Sequence, residues 1–251
     1  MPFFHLFDPL YFIILAPGLA LSVWAALKVK MTFAKYSNVP SSKGVSGAEA
    51  ARILLQKSGV NGVRITLSEG GSLSDHYDPS TKTLRLSPDV HSGSSIASVA
   101  VAAHEAGHAI QHWSEYGPLM LRTAAVPVVN IGSSLSWILM FAGIMLSSTA
   151  RGIEHTGYAG YAPYLLWAGV LGFASVVVFQ IITLPVELNA SARAKERLLA
   201  LGIVSPSEEK MVGEVLKAAA LTYVAAAVTA ILTLLYYMIR LGLIGGGRRN
   251  D

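Results

Sequence analysis

Four stretches of this 251-residue chain are long and apolar enough to cross a lipid bilayer: residues 10–27, 126–147, 163–186 and 218–239. A helix crossing the hydrocarbon core needs about 20 mostly apolar residues. Inside lipid the backbone must satisfy its own hydrogen bonds, so each stretch is read as a transmembrane helix. Composition agrees. The chain is 53% hydrophobic and 14% charged, against about 25% charged in an average soluble protein, and its mean hydropathy is +0.51. Asn130, Ser133, Ser134 and Gln180 interrupt the second and third spans, and polar groups in such positions are expected to pack against other helices. No Asp, Glu, Lys, Arg or His lies inside any span. That argues against a transporter, whose coupling residues sit within the membrane.

The net charge is +4. The basic residues flank the spans and form no stripe interleaved with aromatics, so nucleic acid is not expected as a partner. They report orientation instead. Lys28, Lys30 and Lys35 follow the first span, whose N-terminal side has no Lys or Arg. This is the reverse of a secretory leader and suits an uncleaved anchor with its N-terminus outside. With Arg122, Arg193, Lys195, Arg197 and Lys217, these charges place residues 28–125 and 187–217 in the cytoplasm of a multi-pass protein of the cell membrane. Arg240, Arg248 and Arg249 then fall outside, against the rule. The layout is an N-terminal transmembrane anchor (1–30), a soluble α+β part (31–125), a transmembrane hairpin (126–186), a soluble helical part (187–217) and a C-terminal transmembrane helix with its tail (218–251). There is no cysteine, which removes disulfides, thiolate nucleophiles and cysteine-ligated metals.

Within the soluble part, "SGAEAARILLQKSGV" predicts a helix, with Ser46 and Glu49 as a capping box and Gly59 as its stop. Residues 63–67 predict a strand. Residues 73–87 predict a hairpin with "DPSTK" as its turn. A second helix starts at about Ser95, kept slender by Val99, Ala102, Ala103 and Ala106.

That second helix carries "VAAHEAGHAIQHW". His104 and His108 stand four apart, so their imidazoles share one helical face and can converge on a single zinc ion. Glu105 beside them is placed to take a proton from water activated by that metal. Placed within a run of Ala, Gly, Val and Ile, this His-Glu set is costly on an apolar face unless something binds it; the alternative is a solvated charged patch on the helix. His112 lies about 12 Å along the axis from His104 at 1.5 Å per residue, too far to share one ion, and is expected at the rim. A catalytic zinc wants a third protein ligand. His5 and His155 fall across the membrane, whereas His76, His91 and Glu187 fall on the same side as His104. Glu187 follows two crossings after His108, so it returns to the same face in either orientation. The residues alone leave Glu187 equally readable as a ligand or as a polar cap at the membrane interface.

Three stretches, "LSDHYDP" (73–79), "VAAHEAGHAIQH" (101–112) and "LPVELNASARA" (184–194), together resemble the YugP-type membrane zinc metallopeptidases, over nearly the whole chain. More distantly the chain is similar to the HtpX-type integral membrane peptidases. The resemblance implies a bound Zn2+ held by His104, His108 and Glu187, with Glu105 as catalytic base. It implies an α-helical integral membrane protein with four transmembrane helices and a small cytoplasmic α+β gluzincin-like metalloprotease core. It also implies that residues 74–78 form an edge strand that aligns an extended substrate, with His76 or Tyr77 donating to the developing oxyanion. The wider group has Glu-x-x-Ala-Asp where this chain has Ser191 in the Asp position, so what supports the ligands from behind is open. Arg193 reads as an anchor for Glu187 or a substrate carbonyl, or as a plain interfacial cation.

The expected function is a membrane-embedded zinc-dependent endopeptidase cleaving membrane-associated proteins or peptides. The alternative is a non-proteolytic membrane adaptor with a structural zinc site. Glu105 speaks against the alternative, because a structural site has no use for a free carboxylate beside an open coordination position. The sequence sets no oligomeric state.

Overall fold

Long helices dominate because the apolar stretches run on into amphipathic ones without a break. The computed structural model describes residues 9–71, 74–150 and 159–242, without the side chains of 148–150 and 159. His5, Leu73, His155, Arg248 and Arg249 lie outside the described residues. The elements are α1 (Pro9–Ser37), α2 (Gly47–Lys57), β1 (Arg64–Leu67), β2 (His76–Asp78), β3 (Thr83–Leu86), α3 (Pro88–Ser92), α4 (Ile96–Trp113), α5 (Gly117–Ala150), α6 (Ala162–Ala200) and α7 (Pro206–Arg240). The described chain is thus mostly helical with one small mixed sheet. Helices α1, α5, α6 and α7 are each long and apolar enough to span a membrane. At 1.5 Å per residue α6 is about 58 Å long, roughly twice a hydrocarbon core. Its last turns, from Glu187 on, therefore lie beyond its apolar stretch. Pro185 is accommodated inside the helix.

The chain divides into two compact units. One gathers the described parts of Met1–Ser22, Arg122–Ile182 and Val224–Asp251, and the other gathers Val23–Leu121 and Thr183–Tyr223. In the first unit small residues let helices approach closely. A Cβ on Gly172 would lie 2.8 Å from the Gly132 carbonyl, and one on Gly18 would lie 2.9 Å from Thr229 Oγ1. Such seams replace the hydrophobic drive that lipid removes. The polar groups expected at these interfaces divide: Ser133 and Gln180 are half-buried, whereas Asn130 and Ser134 are exposed. The seam is built by glycines with Ser136 and Ser175, whose hydroxyls donate back to Ser133 O and Gly172 O.

In the second unit the sheet has the order β1-β3-β2. β3 runs parallel to β1 and antiparallel to β2, so β2 is an edge strand of a hairpin. Asp78 organises the turn by accepting from Ser80 N–H at 2.9 Å and from the Thr81 hydroxyl at 2.6 Å. Ile65, Leu84 and Tyr77 form the row facing the core. Thr66, Arg85 and His76 form the next row, on the other face, since side chains alternate. α4 lies under the sheet and packs on α2. Ser95 caps α4 by accepting from Ser98 N–H at 3.1 Å. Ser46 caps α2 in the same way at 3.2 Å. The capping box is half realised, because the Glu49 carboxylate pairs with Arg52 instead of reaching back. Gly59, at φ +71°, ends that helix turn. Leu54, Leu84, Ile96, Val99 and Leu198 are fully buried in the core of this unit.

Candidate metal centre

The centre lies where α4 meets α6, and Gly107 allows the meeting. A Cβ at that position would stand 2.7 Å from the Ala190 carbonyl oxygen, so no larger residue fits without moving a backbone. Ala102, Ala103 and Ala106 of α4 are fully buried, and Ala102 packs close to Gly47 of α2, so the slender pattern serves close packing of this helix. His104 and His108, on the same face as Gly107, come against Glu187, which is only 2% exposed.

The geometry is that of a cation site. His104 Nε2 lies 3.2 Å and His108 Nε2 lies 3.4 Å from the same Glu187 oxygen, Oε2. One ligand atom from each of the three residues falls within 4.8 Å of the others. A tetrahedral zinc with bonds of about 2.0–2.1 Å holds its ligand atoms about 3.3 Å apart, which matches both measured edges. The opposite nitrogens of the two rings are already occupied. His104 Nδ1 lies 3.1 Å from Ser191 Oγ, and His108 Nδ1 lies 3.0 Å from Gln111 Oε1. The electrostatics agree. Burial pushes the Glu187 carboxyl upward, but His104 and His108 outweigh it and hold it below the ordinary carboxylate range. Burial pushes His108 downward, but Glu187, with the Glu105 charge and Gln111, raises it above the ordinary imidazole range. Positive charge is therefore favoured at the spot the three ligand atoms enclose, and the donor set of two imidazoles and a carboxylate suits zinc.

The Glu105 side chain is half-buried and makes no hydrogen bond or ion pair among the described residues. It lies close enough to Asp75 for its charge to help burial raise the Asp75 carboxyl, against the hydrogen bonds Asp75 accepts from Ser87. Tyr77 faces the same helix, and its hydroxyl is 2.9 Å from His112 Nδ1. β2 thus runs along α4, with Asp75 near Glu105 and Tyr77 near His112.

A family described as "Putative neutral zinc metallopeptidase" matches residues 11–242. The chain belongs to this family. It is also 42% identical over 229 residues to "Putative membrane protease YugP" of Bacillus subtilis (strain 168), across 91% of this chain and 95% of that protein. No solved structure matches. Zinc is therefore the metal for which the His104, His108 and Glu187 cluster is suited, and the four apolar helices belong to a multi-pass membrane protein.

Of the residues singled out in the sequence, His104, His108, Glu187 and Glu105 come together. Tyr77 reaches the α4 face. His76 does not: it is exposed on the opposite face, its Nδ1 2.8 Å from Ser74 O, and it lines a groove with Thr66, Glu69 and Arg85. His91 is in α3, beside Ser92. His112 stands outside the cluster, at its rim, as its axial distance requires. Arg193 does not pair with Glu187 and is half-buried. Its Nε donates to Asn189 Oδ1 at 2.7 Å, and its guanidinium lies over the Tyr116 ring, 5.6 Å from the centroid. Ser191 takes the place of the expected Asp and holds His104. Gln111 was missed, although it lies three residues beyond His108, on the same helical face, which is the signal that marks it.

Proposed function

We propose that this protein is an integral membrane zinc endopeptidase that cleaves membrane-associated proteins or peptides. The carrying observation is the convergence of His104, His108 and Glu187 beside an uncommitted Glu105. His104, His108 and Glu187 are the metal ligands. When bound, zinc supplies Lewis acidity, easing deprotonation of water and polarising the scissile carbonyl. Glu105 takes the proton of the attacking water and delivers it to the leaving amine. The free edge of β2 aligns the substrate backbone. Tyr77, whose phenol burial and the Asp78 charge push upward and so keep protonated, is the better placed donor to the developing oxyanion. His76 faces away. The peptidase core is gluzincin-like and is made by residues 31–125 and 187–217, with residues 1–30, 126–186 and 218–251 anchoring it. The lysines and arginines flanking those core segments favour the cytoplasmic face of the cell membrane. Glu187 follows a span directly in sequence, which favours substrates delivered along the bilayer.

The test is cleavage of a single-span reporter with an unstructured cytoplasmic tail, co-reconstituted in vesicles. Wild type is expected to cut the tail, and Glu105→Gln is expected to leave it intact while retaining zinc. Equal cutting by both proteins would refute the assignment.

A further inference from the structure

We infer that Arg193, Asn189 and Gln111 form a one-way chain of hydrogen bonds that fixes the tautomer and aim of His108, an inference that rests on the zinc-site reading above. Arg193 sets the direction because a guanidinium only donates. Its Nε donates to Asn189 Oδ1 at 2.7 Å, which fixes that atom as the oxygen. Gln111 must then approach the same oxygen with its amide nitrogen, and Nε2 does so at 3.0 Å. The Val186 carbonyl, which only accepts, takes the other Nε2 hydrogen at 2.8 Å. Both amide hydrogens are now used. Gln111 Oε1 is left to face His108 Nδ1 at 3.0 Å, so Nδ1 carries the hydrogen. A neutral imidazole has one such hydrogen. In the neutral form that can ligate a metal, the lone pair is therefore on Nε2, the nitrogen that faces Glu187.

The reverse arrangement is closed off. A flipped Gln111 amide would point donors at His108 and move the ring hydrogen to Nε2, where it would block a metal. It would also set an oxygen against two acceptors. Gln111 is completely buried, so solvent cannot compensate for those losses. The bond to Val186 O adds a second effect, since it pins the α6 backbone one residue before Glu187. Gln111, Asn189 and Arg193 are positioning residues; they act on the metal through His108. Removing partners of this kind weakens metal binding about 10–100-fold.

The test measures zinc dissociation constants of the full chain in detergent, by competition with a chromophoric chelator. Gln111→Leu is expected to bind zinc about 10–100-fold more weakly than wild type while unfolding cooperatively. Asn189→Asp is expected to stay near wild type, because position 189 only accepts from Arg193 and Gln111. Asn189→Leu is expected to weaken binding. In zinc-loaded protein with 15N-labelled histidine, His108 is expected to show a protonated Nδ1. Wild-type affinity in Gln111→Leu, or an Asn189→Asp variant as weak as Asn189→Leu, overturns the chain while leaving the zinc site standing. Should Gln111→Leu not fold, the two Asn189 variants still decide. No zinc in wild type overturns the site and the chain together.

Discussion

Gly107→Ala tests the claim that a backbone crossing sets the distance between the histidines and Glu187. The new Cβ would lie 2.7 Å from the Ala190 oxygen and 3.3 Å from its carbonyl carbon and Cα. Carbon–oxygen contacts settle near about 3.4 Å, so α4 and α6 must part by about 0.7 Å at this point. Ala190 is three residues from Glu187, less than one helical turn, and the carboxylate moves with it. The two nitrogen–oxygen edges, now 3.2 and 3.4 Å, would open toward about 4 Å, wider than the about 3.3 Å that bonds of about 2.0–2.1 Å allow. Overpacking costs about 1–3 kcal/mol, against about 0.5–1 kcal/mol returned by removing a helical glycine. Gly213→Ala in α7 isolates the second effect, because its Cβ would meet only Lys195 Cδ at 3.7 Å. Thermal unfolding and zinc affinity are measured on both variants. Gly213→Ala is expected to raise the melting temperature and leave zinc untouched. Gly107→Ala is expected to gain no stability and to bind zinc about tenfold or more weakly, a change of about 1.4 kcal/mol. If Gly107→Ala behaved like Gly213→Ala in both assays, the close-approach argument would be wrong.

Three further outcomes follow from particular contacts. Ser191→Ala deprives His104 Nδ1 of its 3.1 Å partner, and chelator competition should show about 10-fold weaker zinc; unchanged affinity would mean that the hydroxyl supports nothing. Tyr77→Phe removes the hydroxyl at His112 and should cost about 0.5–1.5 kcal/mol of unfolding free energy, with one reporter-cleavage signature, a fall in kcat larger than any rise in KM. Glu208 begins α7 by accepting from Ser205 N–H and from the Ser42 N–H and hydroxyl. Burial pushes its carboxyl up, but these bonds win and hold it below the ordinary range. Its contribution is therefore complete above the unfolded-state pKa, about 4.3, and is lost as pH falls through the lower folded value. Metal-free Glu208→Gln should accordingly lose stability at neutral pH and show a shallower acid limb than wild type in pH-dependent unfolding.

The spans and the HExxH helix were legible because each has a periodicity that only one kind of structure satisfies. Residues 163–186 admit no fold but a buried or membrane helix, and His104 with His108 is a one-face pattern. The hairpin of β2 and β3 was legible in the sequence and the edge position of β2 was implied by the family resemblance, but the facing of β2 was not legible. Pairing with β3 sends His76 outward and Tyr77 inward, and a register of this kind depends on partners distant in sequence. Short α3 was not anticipated, since five residues beginning at Pro88 carry no helical period. Glu187 was readable only as one of two possibilities from its own surroundings. Its partners are 79 and 83 residues away in the chain, and the contact depends on Gly107 meeting Ala190. The Asp missing at position 191 pointed to a gap behind the ligands. The structure fills it with two neutral groups, the Ser191 hydroxyl on His104 and the Gln111 amide on His108; of the two, only Gln111 carries a local signal, its place one turn beyond His108 on the same helical face.

The central claim is that His104, His108 and Glu187 hold one zinc ion and that Glu105 stands beside it without holding it. Zinc per chain in detergent-purified wild type, Glu105→Gln and Glu187→Ala tests this most directly. About one zinc in the first two proteins, with much less in Glu187→Ala, is the predicted result. Zinc-free wild type, or Glu187→Ala carrying its full zinc, would contradict the account.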